Sequence, residues 1–138
     1  MLRKSILVIS DQHAPYHHID TLDFLSAIKE KYKPDCVVNI GDEMDWHSIS
    51  FHDSHPGLYS PSHELVVAKR FFKDLESLFP KQYVMDSNHG SLVFRKATRH
   101  GMPHEIFKSY NHMLGVGKGW SWHEDLVIKA SNGQKIYF

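Results

Sequence analysis

Apolar residues near the start of this chain fall in short unbroken runs separated by segments of helical spacing. Ser5-Ile6-Leu7-Val8-Ile9 is a continuous apolar run rich in β-branched residues, the pattern of a strand buried on both faces in a parallel sheet. A polar loop, Ser10 to His18, follows it. Leu22, Leu25, Ile28 and Tyr32, with Phe24, then recur at helical spacing, with Asp20 placed to cap that helix and Pro34 to close it. Cys36-Val37-Val38-Asn39-Ile40 is a second run of the buried type, stopped by Gly41-Asp42. Strand, helix and strand within about forty residues make a βαβ unit.

From Glu43 to Ser62 the chain is polar and rich in His, Asp, Ser and Pro. Loops of this length without structure of their own are uncommon and are usually functional. Leu65, Ala68, Phe71, Phe72, Leu75 and Phe79 predict an amphipathic helix ended by Pro80. Gln82 to Met85 predicts a third strand, broken by Asp86-Ser87-Asn88-His89-Gly90. Leu92 to His100 and Pro103 to Leu114 predict two short helices, proline being a good first helical residue. Gly115, Gly117 and Gly119 mark a flexible link, and Asn132-Gly133 predicts a hairpin turn between 125–130 and 134–138. The order βαβ-α-β-αα-ββ predicts an α/β fold: a mostly parallel, buried sheet with flanking helices, in one domain spanning residues 1–138.

Composition narrows this picture. A chain of 138 residues has length for one domain with a single core. Sixteen Lys plus Arg balance sixteen Asp plus Glu, so no global field draws in nucleic acid or an anionic membrane. The lone cysteine, Cys36, excludes an internal disulfide and a Cys-based zinc knuckle, and fits a reducing compartment. The first apolar run is too short for a signal peptide or a membrane span. A cytoplasmic protein without a membrane partner is expected. Twelve histidines are unusual, and position must separate ligands from bystanders.

Three successive predicted strands each end in hard polar residues: Asp11-Gln12-His13, then Gly41-Asp42-Glu43-Met44-Asp45, then Asn88-His89. In open α/β sheets ligands bind beyond the carboxyl ends of the strands, so the three clusters are expected to meet. Their oxygen and nitrogen donors suit Mn²⁺, Fe, Zn²⁺, Ni²⁺ or Co²⁺, and the lack of thiolate excludes soft-metal chemistry. A single Asp shared by two ions roughly 3.5–4 Å apart is the usual bridge in two-metal hydrolytic sites. One Asp after a strand is an ordinary turn residue; the conjunction is what points to a metal.

Asp11-x-His13, Gly41-Asp42-x-x-Asp45 and Ser87-Asn88-His89 resemble the first three signatures of the calcineurin-like metallophosphoesterases, in order and over nearly the whole chain. The resemblance implies the αββα double-sheet sandwich, with this sheet as one half. It also implies two divalent metal ions, Mn²⁺ foremost, with Asp11 and His13 on one, Asn88 on the other and Asp42 bridging both. His89 would be the general acid, or stabilise the leaving oxygen, and Asp45 its orienting partner. The implied activity is phosphoester hydrolysis by metal-activated water, of phosphomonoesterase or protein phosphatase type. The substrate would be a phosphoprotein, nucleotide or nucleic acid. One alternative is a DNA exo- or endonuclease of the same fold; the other is a non-catalytic or split-chain module retaining part of the site.

Two departures from the family stand out. Ser87 precedes Asn-His where the family has Gly, and Gly90 follows where it has Asp or Glu. The family's late Gly-His-x-His turn is missing, and the sequence stops at Ile136-Tyr137-Phe138. The expectation is the N-terminal part of a longer phosphoesterase or one piece of a split one, with a complementary C-terminal chain or segment supplying the remaining ligands. Of the other histidines, His17, His18, His47, His52, His55 and His63 belong to or adjoin polar loops and are mostly expected to be exposed, with His47 and His52 candidates to line a substrate pocket. His100, His104, His112 and His123 match no ligand spacing. Arg95, Lys96 and Arg99 read as a solvated helix face, with phosphate contact as the alternative. Trp46, Trp120 and Trp122 read as core or rim packing, with base stacking as the alternative.

Overall fold

The computed structural model describes residues 5–138, so residues 1–4 of the expected domain lie outside the described residues. Strands β1 (Ile6–Ile9), β2 (Cys36–Asn39), β3 (Gln82–Met85) and β4 (Trp120–His123) form one sheet in that order, every neighbouring pair parallel. Helix α1 (Thr21–Tyr32) joins β1 to β2, and α2 (Pro61–Leu78) joins β2 to β3. Helices α3 (Leu92–Arg99) and α4 (Tyr110–Leu114) lie between β3 and β4. A strand order without reversal, crossed each time with the same hand, lands every helix on one face. Accordingly Leu25 of α1, Phe72 of α2, Leu92 of α3 and Leu114 of α4 share one core with Ile9, Val37, Val84 and Trp120. On the opposite face a smaller core joins Cys36, Val38 and Met85 to Ile128, with Leu126 and Phe138 packed against it. Ile128 belongs to the antiparallel hairpin of β5 (Val127–Lys129) and β6 (Lys135–Tyr137), which turns where Asn132-Gly133 predicts.

Several elements differ from the reading of the sequence. β1 is an edge strand, and Val8 is 46 % exposed rather than buried, because the second core centres on Cys36, Val38 and Met85 and does not reach it. The glycine-rich link runs straight into β4, a strand the apolar pattern does not announce. Gly119 is a packing requirement there: a Cβ on it would collide with the carbonyl oxygen of Pro80. That close approach lets Gly119 O accept from Gln82 N at 3.2 Å, while Trp120 Nε1 donates to Phe79 O at 2.9 Å. The segment from Pro103 to Leu114 is not one helix but a 3-10 turn at His104–Ile106, extended backbone at Phe107, and then α4. Ser109 starts the second piece by accepting from His112 N. Asp20 precedes α1 but makes no capping bond; the hydroxyl of Thr21 donates to His18 O instead. α2 begins ahead of its apolar stripe because Ser60 accepts from His63 N and Pro61 takes the first turn. No helix among the described residues is long and apolar enough to cross a membrane.

Candidate metal centre

The loops leaving β1 and β2 are zipped together beyond the sheet. Asp11 N donates to Gly41 O (3.1 Å), His13 N to Asp42 O (2.9 Å), Ala14 N to Glu43 O (2.8 Å), and Asp45 N to Ala14 O (3.0 Å). Beneath them, the buried Asn39 donates to Gln12 Oε1 at 2.7 Å, and its Oδ1 accepts from Gly41 N at 3.1 Å. The loop after β3 is tied in by Ser87, whose Oγ accepts from Asp42 N (2.9 Å) and Gly90 N (3.0 Å). Gly41 takes φ +104°, and a Cβ there would lie 2.5 Å from that of Ser87. Asp11, His13, Asp42 and Trp46 hold φ of +54°, +47°, +54° and +53°. For residues with a Cβ that region costs about 1 kcal/mol each. Strain gathered at one end of a sheet is what a functional loop pair shows.

Five of the six predicted site residues converge here. His13 Nδ1 lies 2.8 Å from Asp45 Oδ1, which leaves Nε2 facing Asp11 Oδ1 at 3.7 Å. His89 sits edge-to-face against His13 with ring centroids 4.7 Å apart. Its Nδ1 is 2.6 Å from the carbonyl oxygen of Asp45, and its backbone N donates to Asp42 Oδ1 at 3.2 Å. A carbonyl only accepts, so that nitrogen carries a proton and Nε2 is left for chemistry. Ligand atoms of Asp11, His13 and Asp42 lie within 4.8 Å of one another, as do those of His13, Asp45 and His89. The hydroxyl of Ser10 donates to Asp11 Oδ2. Asn88 is the sixth, exposed on the rim, its carbonyl accepting from Arg95 Nη2 at 2.6 Å. Its carboxamide makes no hydrogen bond among the described residues. Asp45 thus addresses His13 through its carboxylate and His89 through its main chain.

Glu43 lies behind the centre and is 1 % exposed. Its Oε1 accepts from Trp122 Nε1 at 3.2 Å, and its Oε2 has no partner among the described residues. Burial, with smaller additions from the Asp42 and Asp86 charges, pushes its carboxyl up to about 7. Gly90 makes the room: a Cβ there would lie 2.9 Å from both Glu43 Oε1 and Ser87 Oγ. The first departure noted in the sequence, Ser87 and Gly90 on either side of Asn88-His89, therefore interlocks with a carboxylate arriving from position 43.

Gln12, Asn39, Ser87, Glu43 and Glu64 are supports that the sequence reading missed. Glu64 is buried on α2 and accepts from His47 N (3.2 Å) and Ser48 Oγ (2.9 Å), fixing the 3-10 turn that follows Asp45-Trp46. Its signal was an acid in register with the apolar stripe Ala68, Phe71 and Leu75. Among the histidines, His18, His52, His55 and His63 are exposed, but His17 and His47 are half-buried. His17 stacks on Phe71 at 3.8 Å, and burial holds its imidazole below the usual pKa. His123 Nε2 is 2.7 Å from Ser121 Oγ and its ring packs on Tyr83, on the face away from the helices. Trp46 and Trp120 are buried in the core, so neither offers a face to a base. A cavity of about 350 Å³ adjoins Asp11 and reaches Phe24, with His17 and His18 in its wall.

No protein-family model and no curated protein sequence matches this chain. Fold and site define an α/β protein with a carboxylate–imidazole cluster beyond the carboxyl ends of three adjacent parallel strands.

Proposed function

We propose that this chain is a metal-dependent phosphoester hydrolase of the calcineurin-like metallophosphoesterase type, its sheet being one layer of the αββα sandwich. The observation that carries this reading is His13, pinned by Asp45 through Nδ1 and turned with Nε2 toward Asp11, inside a group that includes Asp42 and adjoins His89. The donor set fits divalent metal. Donors about 2.1 Å from a common ion lie within roughly 4 Å of one another, close to the observed grouping, and carboxylate with imidazole suits Mn²⁺ or its borderline neighbours. Asp11 and His13 would hold one ion, Asn88 a second and Asp42 both. Bound there, two such ions supply an acidified water and charge neutralisation at phosphoryl oxygens.

The protein's own groups do the rest. Asp45 accepts a hydrogen bond from Nδ1–H of His13, which fixes the ring and makes Nε2 a better donor to metal. The Asp45 carbonyl holds the Nδ1 proton of His89 and leaves Nε2 for the reaction, so that the imidazolium would pass its Nε2 proton to the leaving oxygen and end as the neutral Nδ1–H ring. Ser87 keeps the 87–90 loop against Asp42. Hydrolysis of an aryl phosphate with added Mn²⁺ tests the reading. Asp42→Asn is expected to abolish turnover, and His89→Asn to slow it by about 10²–10⁴-fold with Mn²⁺ binding retained. Turnover indifferent to Asp42→Asn would overturn it.

A further inference from the structure

We propose that Phe51 and the basic face of α3 form a binding site for single-stranded nucleic acid, with its phosphates along Arg95, Lys96 and Arg99 and a base against Phe51. This rests on the hydrolase reading and gives it a substrate class. The three cations converge on one ring: Arg95 Cζ is 6.0 Å, Lys96 Nζ 4.8 Å and Arg99 Cζ 4.3 Å from the Phe51 centroid. No carboxylate among the described residues pairs with any of them, the ion pairs found being His13 with Asp11 and Asp45, and His18 with Asp20. In a chain of zero net charge, three unpaired cations in one place form a local anion site. Phe51 is itself 50 % exposed.

One bond couples this face to the candidate centre and a second ties it to the loop that carries Phe51. Arg95 donates to the carbonyl of Asn88, the residue before His89, and Lys96 Nζ donates to Ser50 O at 3.0 Å. A groove of about 430 Å³ continues from Arg95 and Arg99 past Ser91 and Thr98. Asp86 at its other end accepts from the Tyr110 hydroxyl at 2.9 Å. A second aromatic platform grows from the loop that carries Asp11 and His13: Tyr16 stacks on Tyr59 at 6.0 Å, and Tyr59 on His63 at 4.5 Å. Tyr59 is 42 % exposed.

A compact phosphomonoester or a single phosphorylated side chain would be spent at the centre and leave this patch unused. A nucleic-acid strand carries a phosphate at every nucleotide, so phosphates beyond the scissile one have Arg95, Lys96 and Arg99 to meet. Exposed rings beside cations bind unpaired bases without regard to sequence. Paired bases hide the faces that such rings need, so a single strand is the better fit.

Anisotropy of fluorescein-labelled dT20 in EDTA reads binding without hydrolysis. The wild type is expected to bind with a log–log salt slope of about −2 or steeper, as three contacts to a single strand require. Arg95→Gln/Lys96→Gln/Arg99→Gln should weaken binding at least about tenfold at low salt and flatten the slope by about 2. Lys96→Gln/Arg99→Gln leaves the Arg95–Asn88 bond in place and should flatten it by about 1.4. Phe51→Ala should weaken binding about fivefold or more. Circular dichroism of each variant separates lost contacts from lost fold. A wild type that does not bind dT20, or a double variant with unchanged affinity and slope, overturns the proposal. So does a phosphoserine peptide that binds more tightly than dT20 through the same residues. A hydrolase reading that failed with Mn²⁺ would leave this binding in EDTA intact, so the two failures are distinguishable.

Discussion

Asp45 serves two histidines in two different ways, and the difference is testable one atom at a time. Its carboxylate meets His13, whereas only its backbone carbonyl meets His89. Asp45→Asn keeps the carbonyl and removes the charge. Loss of a carboxylate behind a ligand histidine typically weakens metal binding 10–100-fold, so calorimetric titration with Mn²⁺ should show a drop of about that size. Turnover at saturating Mn²⁺ should fall much less. The reverse pattern, unchanged affinity with collapsed turnover, would mean that the carboxylate acts on His89 after all. Glu43 supports a second prediction. Its carboxyl is raised from an ordinary value near 4.5 to about 7 by burial. The unfolded chain therefore ionises first as pH rises, and the folded state loses stability between those two values, by about 3 kcal/mol in all. In EDTA, the Tm of the wild type is expected to decline from pH 5 to pH 8, and Glu43→Gln to flatten that decline. A Glu43→Gln protein with the same pH dependence would rule Glu43 out as its source.

Among the elements, the ones that bear the site were legible because each ends an apolar run abruptly. Ile9, Asn39 and Met85 close β1, β2 and β3, and the polar residues after them point the same way because the strands are parallel neighbours. β4 was not legible. Trp120-Ser121-Trp122-His123 has no β-branched aliphatic residue, and it follows glycines that read as a break. Its partner β3 and the Pro80 carbonyl that passes over Gly119 are far away in sequence. The same holds for Glu43 and Glu64: a buried carboxylate depends on a gap at Gly90 or on two donors at His47 and Ser48, none of which a local pattern encodes. Gly119→Ala probes this directly. A methyl group with no space must push β4 from β3, and overpacking of this kind costs typically 1–3 kcal/mol. Urea unfolding should show a loss of at least about 1 kcal/mol. A neutral result would mean that the β3–β4 junction yields without cost.

For the molecule as a whole, the two faces of the sheet are unequal, and that inequality should appear in its dynamics. One face carries all four helices and a continuous core from Leu25 to Trp120. Among the described residues the other is met only by the β5–β6 hairpin, whose one fully buried side chain is Ile128. Isolated two-stranded hairpins are marginal in water, so this one depends on docking Ile128 onto Cys36, Val38 and Met85. The candidate centre belongs to the other side of this division, since its loops are bonded to one another and to Ser87 rather than to the hairpin. Ile128→Ala removes most of the anchor, at a cost of about 2 kcal/mol or more. Native-state hydrogen exchange is expected to show the Ala130 and Phe138 amides, which donate to Gln134 O and Leu126 O, opening faster in this variant, while those of Val38 and Val84 keep their protection. Mn²⁺ binding should be unchanged. If Ile128→Ala instead deprotects hairpin and central strands equally, the hairpin and the helical layer form one cooperative unit, and the second face contributes to global stability as fully as the first.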